Sequence, residues 1–370
     1  MNRRVVIAPD SFKGAISARQ AAEAIAGGVR RAAPSARIDC APMADGGEGT
    51  LDVLVDAESG VRRRVAAHGP LAEPVDVVVG LIRHVTTAVV ELAGVSGYGL
   101  IDAPSRDPMK TSTYGLGEVL RAAVETEVEQ IILGVGGSAT VDGGAGMMQA
   151  LGLALLDGAG RVLPPHAAGG DLGRIARVAW DDPPPNLHDV PISIAVDVLN
   201  PLCGPNGAAA VFGPQKGASA EAVAALERGL AHWADILEAL CGRRLRDEPG
   251  AGAAGGVALP LVALAEATMT PGVDLVADAV GLANRVATAD LVITGEGRLD
   301  RQSMMGKVVG AVGRMCRTVG VPCVAIVGAA GEGADDCLGV LDRYVTLGGT
   351  IGETRERLER TAAEVIGEWW

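Results

Sequence analysis

The sequence predicts an α/β protein, with one doubly wound parallel sheet assembled from both ends of the chain and a second, mixed α/β domain inserted between them. Three observations predict it. At both ends, short apolar runs alternate with amphipathic stretches of helical period. Near Val61 that alternation gives way to closely spaced strand-like runs, and it resumes near Leu291. Polar, glycine-containing loops follow most of the apolar runs, which is where open α/β sheets bind ligands. At 370 residues and 48% apolar, the chain is long enough to fill two cores. The expected division is 1–60 with 288–370 for the first domain and 61–287 for the insert.

Taken in order, residues 4–8 read as a buried strand followed by the loop PDSFKG. A helix is expected over 18–32, started by Ser17 with Gln20 three residues on, the spacing of a capping box. Residues 37–41 form a second strand, followed by the loop PMADGGEGT and a helix through 55. Asp45 and Glu48 also have capping-box spacing. Runs at 61–67, 75–81 and 85–92 read as short strands, and a helix is expected near 116–125. Residues 133–148, LGVGGSATVDGGAGMM, hold six glycines in sixteen positions, between an apolar run at 130–135 and a helix-like run at 147–155. A strand that ends in glycines and restarts as a helix leaves backbone N–H groups unpaired and pointing one way, a geometry that holds phosphate.

Residues 151–163 read as strand, turn and strand around Asp157-Gly158, and DDPPPN at 181–186 is the clearest breaker. A strand at 192–196 ends at Asp197 and opens a long shaped loop to 218. A strong helix spans 220–240, and GAGAAGG at 250–256 opens another. A strand at 291–294, the loop GEGRLDRQSMMGK, a helix to 318, strands at 323–327 and 344–347, and a helix with Glu353 at its third position complete the chain.

Composition excludes several functions. With 2% aromatic residues and a formal charge of −13, the chain suits neither nucleic acid nor an anionic membrane. Six dispersed cysteines without a CxxC pair read as reduced thiols, and the first residues lack the apolar length of a signal peptide. No run approaches a membrane span, so a soluble, cytoplasmic protein is expected. There are 28 arginines and only four lysines, Lys13, Lys110, Lys216 and Lys307, three of them beside glycine. A compact ammonium on a flexible stem suits phosphate in a way that a planar guanidinium does not.

There is no GxxxxGK[ST], no GxSxG, and no HxxxH or HExxH spacing. Lysines, carboxylates and glycine loops remain, and phosphoryl transfer needs those parts. The motifs APDSFKGAIS (8–17), PMADGGEGT (42–50), MKTSTYG (109–115), GGSATVDGGAGM (136–147), DVLNPLCGPNGAAAVFGPQKGA (197–218), GAGAAGG (250–256) and ITGEGRLDRQSMMGK (293–307) together resemble the type-1 glycerate kinases. The resemblance implies ATP- and Mg²⁺-dependent phosphorylation of D-glycerate, most often on the 2-hydroxyl. It also implies a flavodoxin/Rossmann-like domain built from both chain ends. The family usually has Asn where this chain has Val141.

Within those motifs the expected roles follow from chemistry. Asp197, rigidly held at a strand end, is the candidate base, with Lys13 and Asp45 as further catalytic candidates. Asp45, Glu48 and Asp142 are the metal candidates. Lys13, Lys216 and Lys307 neutralise phosphate or the substrate carboxylate, while Gly136, Gly137, Ser138 and Thr140 cradle phosphate. Asp10, Ser11, Lys110, Asn200, Asn206 and Gln215 complete the expected substrate set, and Glu296 and Asp300 either orient a lysine or close their own loop. If the strand ends of both domains face each other, these loops line one cleft. Two rival readings remain: a dinucleotide-dependent oxidoreductase, from Gly134-x-Gly136-x-x-Ala139 with Asp157 beyond it, and a non-catalytic binder of small acids.

Overall fold

The computed structural model describes residues 3–180, 187–304 and 306–370; the expected breaker at 181–186 lies outside the described residues. The strands in chain order are β1 (Arg4–Pro9), β2 (Arg37–Cys40), β3 (Val61–His68), β4 (Pro74–Ile82), β5 (Thr87–Glu91), β6 (Gln130–Gly134) and β7 (Leu153–Leu156). They continue as β8 (Arg177–Trp180), β9 (Ile192–Val196), β10 (Thr268–Pro271), β11 (Leu291–Leu299), β12 (Cys323–Ala330) and β13 (Arg343–Thr346). The chain divides into two compact units, 1–45 with 52–58 and 271–370, and 46–51 with 59–270.

The first unit carries a five-stranded sheet in the order β13-β12-β11-β1-β2, parallel throughout. Both ends of the chain supply it, as the sequence predicts. Val5 to Ala8 and Leu291 to Ile293 are wholly buried, the pattern of central parallel strands covered on both faces. The helix Ala18–Ala32 has the expected capping box, with Ser17 accepting from Gln20 N–H and the Gln20 side chain accepting from Ser17 N–H. It packs against the C-terminal helix Thr354–Trp369, and the two bury Ile25, Val29, Leu358, Val365 and Ile366 against the sheet. Each such side chain contributes about 1.5–3 kcal/mol by leaving water. From β1 the chain crosses to β2 on one side, and from β11 it crosses to β12 on the other. The strand order therefore reverses between β1 and β11, and in open α/β sheets ligands bind beyond the strand ends at such a point.

The second unit carries a mixed six-stranded sheet in the order β10-β9-β6-β5-β4-β3 and a two-stranded β7-β8 sheet. β5, β6 and β9 run parallel, while β3, β4 and β5 form an antiparallel meander. The long helix Ala220–Cys241 buries Trp233, whose Nε1–H donates to the Gly143 carbonyl at 2.9 Å and so braces the glycine-rich turn. Gly143 has φ +57° and an added Cβ would meet the Trp233 ring at 2.6 Å, so this position needs glycine.

Several expectations need correction. The helix after the glycine-rich turn is only Ala145–Ala150; the apolar run then becomes β7, which pairs mainly with β8. The 151–163 hairpin is reduced to one bridge, Leu156 with Val162, because Arg177–Trp180 supplies the longer partner. β11 continues through 295–299, expected to be loop, because β12 pairs with it as far as Ala330. The helix Thr50–Ala57 begins beyond Glu48, so Asp45 and Glu48 do not cap it. The last helix starts at Thr354, after a 3₁₀ turn at Ile351–Glu353. β10 and the helices Gly272–Ala279 and Leu282–Val286 had no clear sequence signal; the two helices pack on the helix Val308–Val319.

Candidate active site

In the first unit, the loops after β1 and β2, the C-terminal ends of β11 and β12, and the segment after β13 line a pocket of about 380 Å³ that reaches the point where strand order reverses. Pro9 pairs with Gly295 in register, and Asp10 N–H donates to the Gly295 carbonyl at 2.8 Å. Asp10 therefore leaves the sheet beside Glu296, which stays in β11 and pairs with Val327 of β12. Beyond β2 the chain keeps running along β1, with Ala41 N–H donating to Ile7 at 2.8 Å and Met43 N–H to Pro9 at 2.9 Å. That path carries Asp45 to Asp10. Lys13, Arg298 and Lys307 line the same pocket.

Asp10, Asp45 and Glu296 are only 6, 4 and 5% exposed. Burial pushes the Asp10 carboxyl up to about 7, and the neighbouring Asp45 charge adds to the rise; Ser11 N–H, at 2.6 Å, and Lys13 oppose it. Burial likewise raises Glu296 to about 7, against a hydrogen bond from Ser303 and the charge of Lys307. Glu296 Oε1 is buried without a hydrogen-bond partner. Buried carboxylates that repel one another, one with an orphaned oxygen, form a site that gains from added positive charge or a proton donor.

Among the described residues, no group of three His, Cys, Asp or Glu side chains forms a ready-made metal cage. Mg²⁺ does not require one: it keeps several waters and is usually held by one or two carboxylates together with substrate phosphates. The donor set of Asp10, Asp45 and Glu296 fits that mode. Asp300 has a local role, with Oδ1 accepting from Gln302 N–H at 2.9 Å and its own N–H donating to Ser303 Oγ at 3.1 Å, so it shapes the turn beside Glu296.

The second unit gathers another cluster. Lys216, 4% exposed, donates from Nζ to the Thr140 carbonyl at 2.7 Å and to Ser138 Oγ at 3.3 Å. Thr140 N–H donates to Ser138 Oγ at 3.1 Å, and the two hydroxyls lie 3.1 Å apart. Burial lowers the Lys216 ammonium to about 7, with the Asp142 charge opposing. Gly136 is explained by packing, because an added Cβ would sit 2.6 Å from Gly47 Cα. Gly137, at φ +74°, makes the turn that follows.

Asp142 is wholly buried and serves the fold. Its Oδ2 accepts from Thr113 N–H at 2.8 Å, Thr113 Oγ1 at 2.7 Å and Gly146 N–H at 3.3 Å, and its Oδ1 accepts from Gly144 N–H at 3.2 Å. A carboxylate so fully engaged ties the glycine-rich turn to the segment 111–113, and it leaves the metal set for that reason. Glu48, the other sequence candidate in this unit, is exposed.

Asp197 follows β9 directly and is half-buried. Asn200 Nδ2 donates to the Asn206 carbonyl at 2.8 Å, pinning the loop beyond it, while Gln215 is exposed. Lys110 is also on the surface, paired with Asp107 at 3.0 Å, apart from the buried Ser138–Lys216 cluster. Sequence reasoning singled out the segment MKTSTYG but chose Lys110 from it, whereas Thr113 makes the contacts that hold Asp142. It also missed Ser303, whose only signal was its place in the loop after β11.

The dinucleotide fingerprint does not survive the geometry. Asp157 accepts from Ala159 and Arg161 N–H, both at 2.9 Å, within a tight turn, and does not end a second parallel strand. Gly136 approaches Gly47, with no room at that point for a pyrophosphate.

A family model described as the glycerate kinase family matches residues 5–369. A glycerate kinase from Halalkalibacterium halodurans is 43% identical over 99% of this chain and 98% of its own length. A glycerate 2-kinase from Escherichia coli is 41% identical over 92% of this chain and 88% of its own. A crystal structure assigned by its description to glycerate kinase 2 from Salmonella typhimurium superposes with a TM-score of 0.89 at 38% identity, covering 100% of this chain and 98% of that one.

Proposed function

The chain belongs to the glycerate kinase family, phosphotransferases with an alcohol group as acceptor, and from that premise we propose that it moves the γ-phosphoryl group of ATP to the 2-hydroxyl of D-glycerate. The products are ADP and 2-phosphoglycerate. The observation that carries the reading is the first unit's pocket, where buried Asp10, Asp45 and Glu296 meet Lys13 and Lys307 at the reversal of strand order. Phosphoryl transfer is mostly positioning and charge stabilisation, and this pocket concentrates both signs of charge in a small volume.

Asp10, Asp45 and Glu296 would hold Mg²⁺, which when bound offsets phosphate charge and orients the phosphates. Lys13 and Lys307 neutralise the remaining phosphate oxygens. In the second unit, Asp197 at the end of β9 takes the proton of the glycerate hydroxyl, and Asn200 fixes the shape of its loop. Ser138, Thr140 and Lys216 face the phosphoryl group as donors. The reaction uses soluble metabolites of the cytoplasm. The choice of the 2-hydroxyl follows the name of the E. coli relative.

Phosphorus NMR of the product formed from D-glycerate, ATP and Mg²⁺ tests reaction and position together. A 3-phosphoglycerate resonance would refute the assigned hydroxyl. Absence of transfer, with NADH binding in a fluorescence titration, would return the dinucleotide reading.

A further inference from the structure

Resting on the kinase reading above, we infer that Ser138 carries the phosphoryl group covalently, with Lys216 as its base, so that transfer passes through a phosphoserine. The geometry is that of an activated nucleophile: a hydroxyl and a base within hydrogen-bond reach, the base oriented by a third group. Here Ser138 Oγ lies 3.3 Å from Lys216 Nζ, and the Thr140 carbonyl fixes Nζ at 2.7 Å. Thr140 N–H, at 3.1 Å, donates to the same oxygen and stabilises negative charge developing on it.

Three features separate this pair from a structural hydrogen bond. First, Lys216 hydrogen-bonds only neutral oxygens, and the charge that favours its ammonium, Asp142, is itself engaged by Thr113, Gly144 and Gly146. Burial brings it to about 7, so that near neutral pH a substantial fraction has a lone pair free to accept a proton. Second, the other acceptors facing Ser138 Oγ are the Thr140 hydroxyl at 3.1 Å and the Thr140 and Ala254 carbonyls, both at 3.4 Å, and none of them is a base. Third, Ser138 is 5% exposed, which shields a phosphoserine from hydrolysis by bulk water.

The steps balance. In the first, Ser138 Oγ bonds to the γ-phosphorus of ATP, the bond to the β,γ-bridging oxygen breaks, ADP leaves, and the hydroxyl proton passes to Lys216 Nζ. In the second, the glycerate hydroxyl oxygen bonds to that phosphorus as the Oγ–P bond breaks. The glycerate proton goes to Asp197, and Oγ recovers its proton from Lys216. The net release is one proton, as in direct transfer.

The wild-type enzyme provides the decisive test. With ATP made chiral at the γ-phosphorus, two successive in-line displacements give net retention in phosphoglycerate, and a single displacement gives inversion. Retention is expected, together with exchange of labelled ADP into ATP without glycerate at a rate no slower than turnover. Ser138→Ala, checked for native circular dichroism, is expected to lose that exchange. Lys216→Met is expected to slow it by about 10²–10⁴-fold. Inversion alongside normal glycerate phosphorylation would overturn the phosphoserine and leave the kinase reading intact. Exchange persisting in Ser138→Ala would overturn it as well. No glycerate phosphorylation by the wild type would instead sink the kinase reading, and this inference with it.

Discussion

Replacing Asp10 by Asn should flatten the pH dependence of the first unit's stability. The Asp10 carboxyl titrates near 3.8 when unfolded and at about 7 in the fold, raised first by burial and then by Asp45. Between those values the folded chain holds a proton that the unfolded chain has released, so stability falls as pH rises through the window. The whole rise corresponds to about 4 kcal/mol at about 1.36 kcal/mol per pH unit, and the part above pH 5.5 to about 2 kcal/mol. The assay is amide hydrogen exchange of β1 and β11 peptides at pH 5.5 and pH 8, corrected for intrinsic exchange rates. Wild type should lose protection at pH 8 by more than the Asp10→Asn variant, the difference approaching about 2 kcal/mol. Glu296, also near 7, leaves a residual slope that Glu296→Gln should remove separately. Identical pH slopes in wild type and Asp10→Asn would refute the claim that a buried, mutually repelling set of carboxylates dominates this pocket.

Other substitutions probe the remaining parts. Asp197→Asn should lower kcat by about 10²–10⁴-fold while glycerate binding by calorimetry stays measurable, and near-normal turnover would remove Asp197 from the mechanism. Gly136→Ala places a Cβ 2.6 Å from Gly47 Cα, so a loss of about 1–3 kcal/mol in chemical denaturation is expected, and an unchanged midpoint would contradict the packing role. Thr113→Val strips Asp142 Oδ2 of a 2.7 Å donor and leaves Met147 N–H without its 3.0 Å acceptor. It should cost about 1–3 kcal/mol, read as earlier melting of the second unit's peptides in hydrogen exchange.

Much of the fold was legible because its signals are local. The continuous apolar runs at β1 and β11 and the Ser17–Gln20 box each depend on a few neighbouring residues, and the structure reproduces them. What escaped depends on partners distant in sequence. β7 looks like half of a hairpin until β8 claims it, and 295–299 looks like loop until β12 extends alongside. The site divides in the same way. Lys13, Lys216, Lys307 and Ser138 could be picked out by type and glycine context. That Asp142 is a buried tie and Asp10 a neighbour of Glu296 is decided by sheet register and burial, which leave no local mark.

The scarcity of lysine acquires a physical reason from these placements. A chain with 28 arginines can supply fixed positive charge almost anywhere, so its four lysines mark places where a guanidinium is unsuitable. Lys110 contradicts a strict rule, being a surface partner of Asp107. Lys216 shows the reason most clearly: its environment brings the ammonium to about 7, whereas a guanidinium never deprotonates in proteins and would lock a charge among neutral oxygens. Lys13 and Lys307 border carboxylates that burial holds near 7, and in the function proposed above a compact ammonium on a flexible stem would turn there from carboxylate to phosphate. On the proposed reading, an acidic protein with a formal charge of −13 would handle an anionic substrate through a few adjustable cations placed locally.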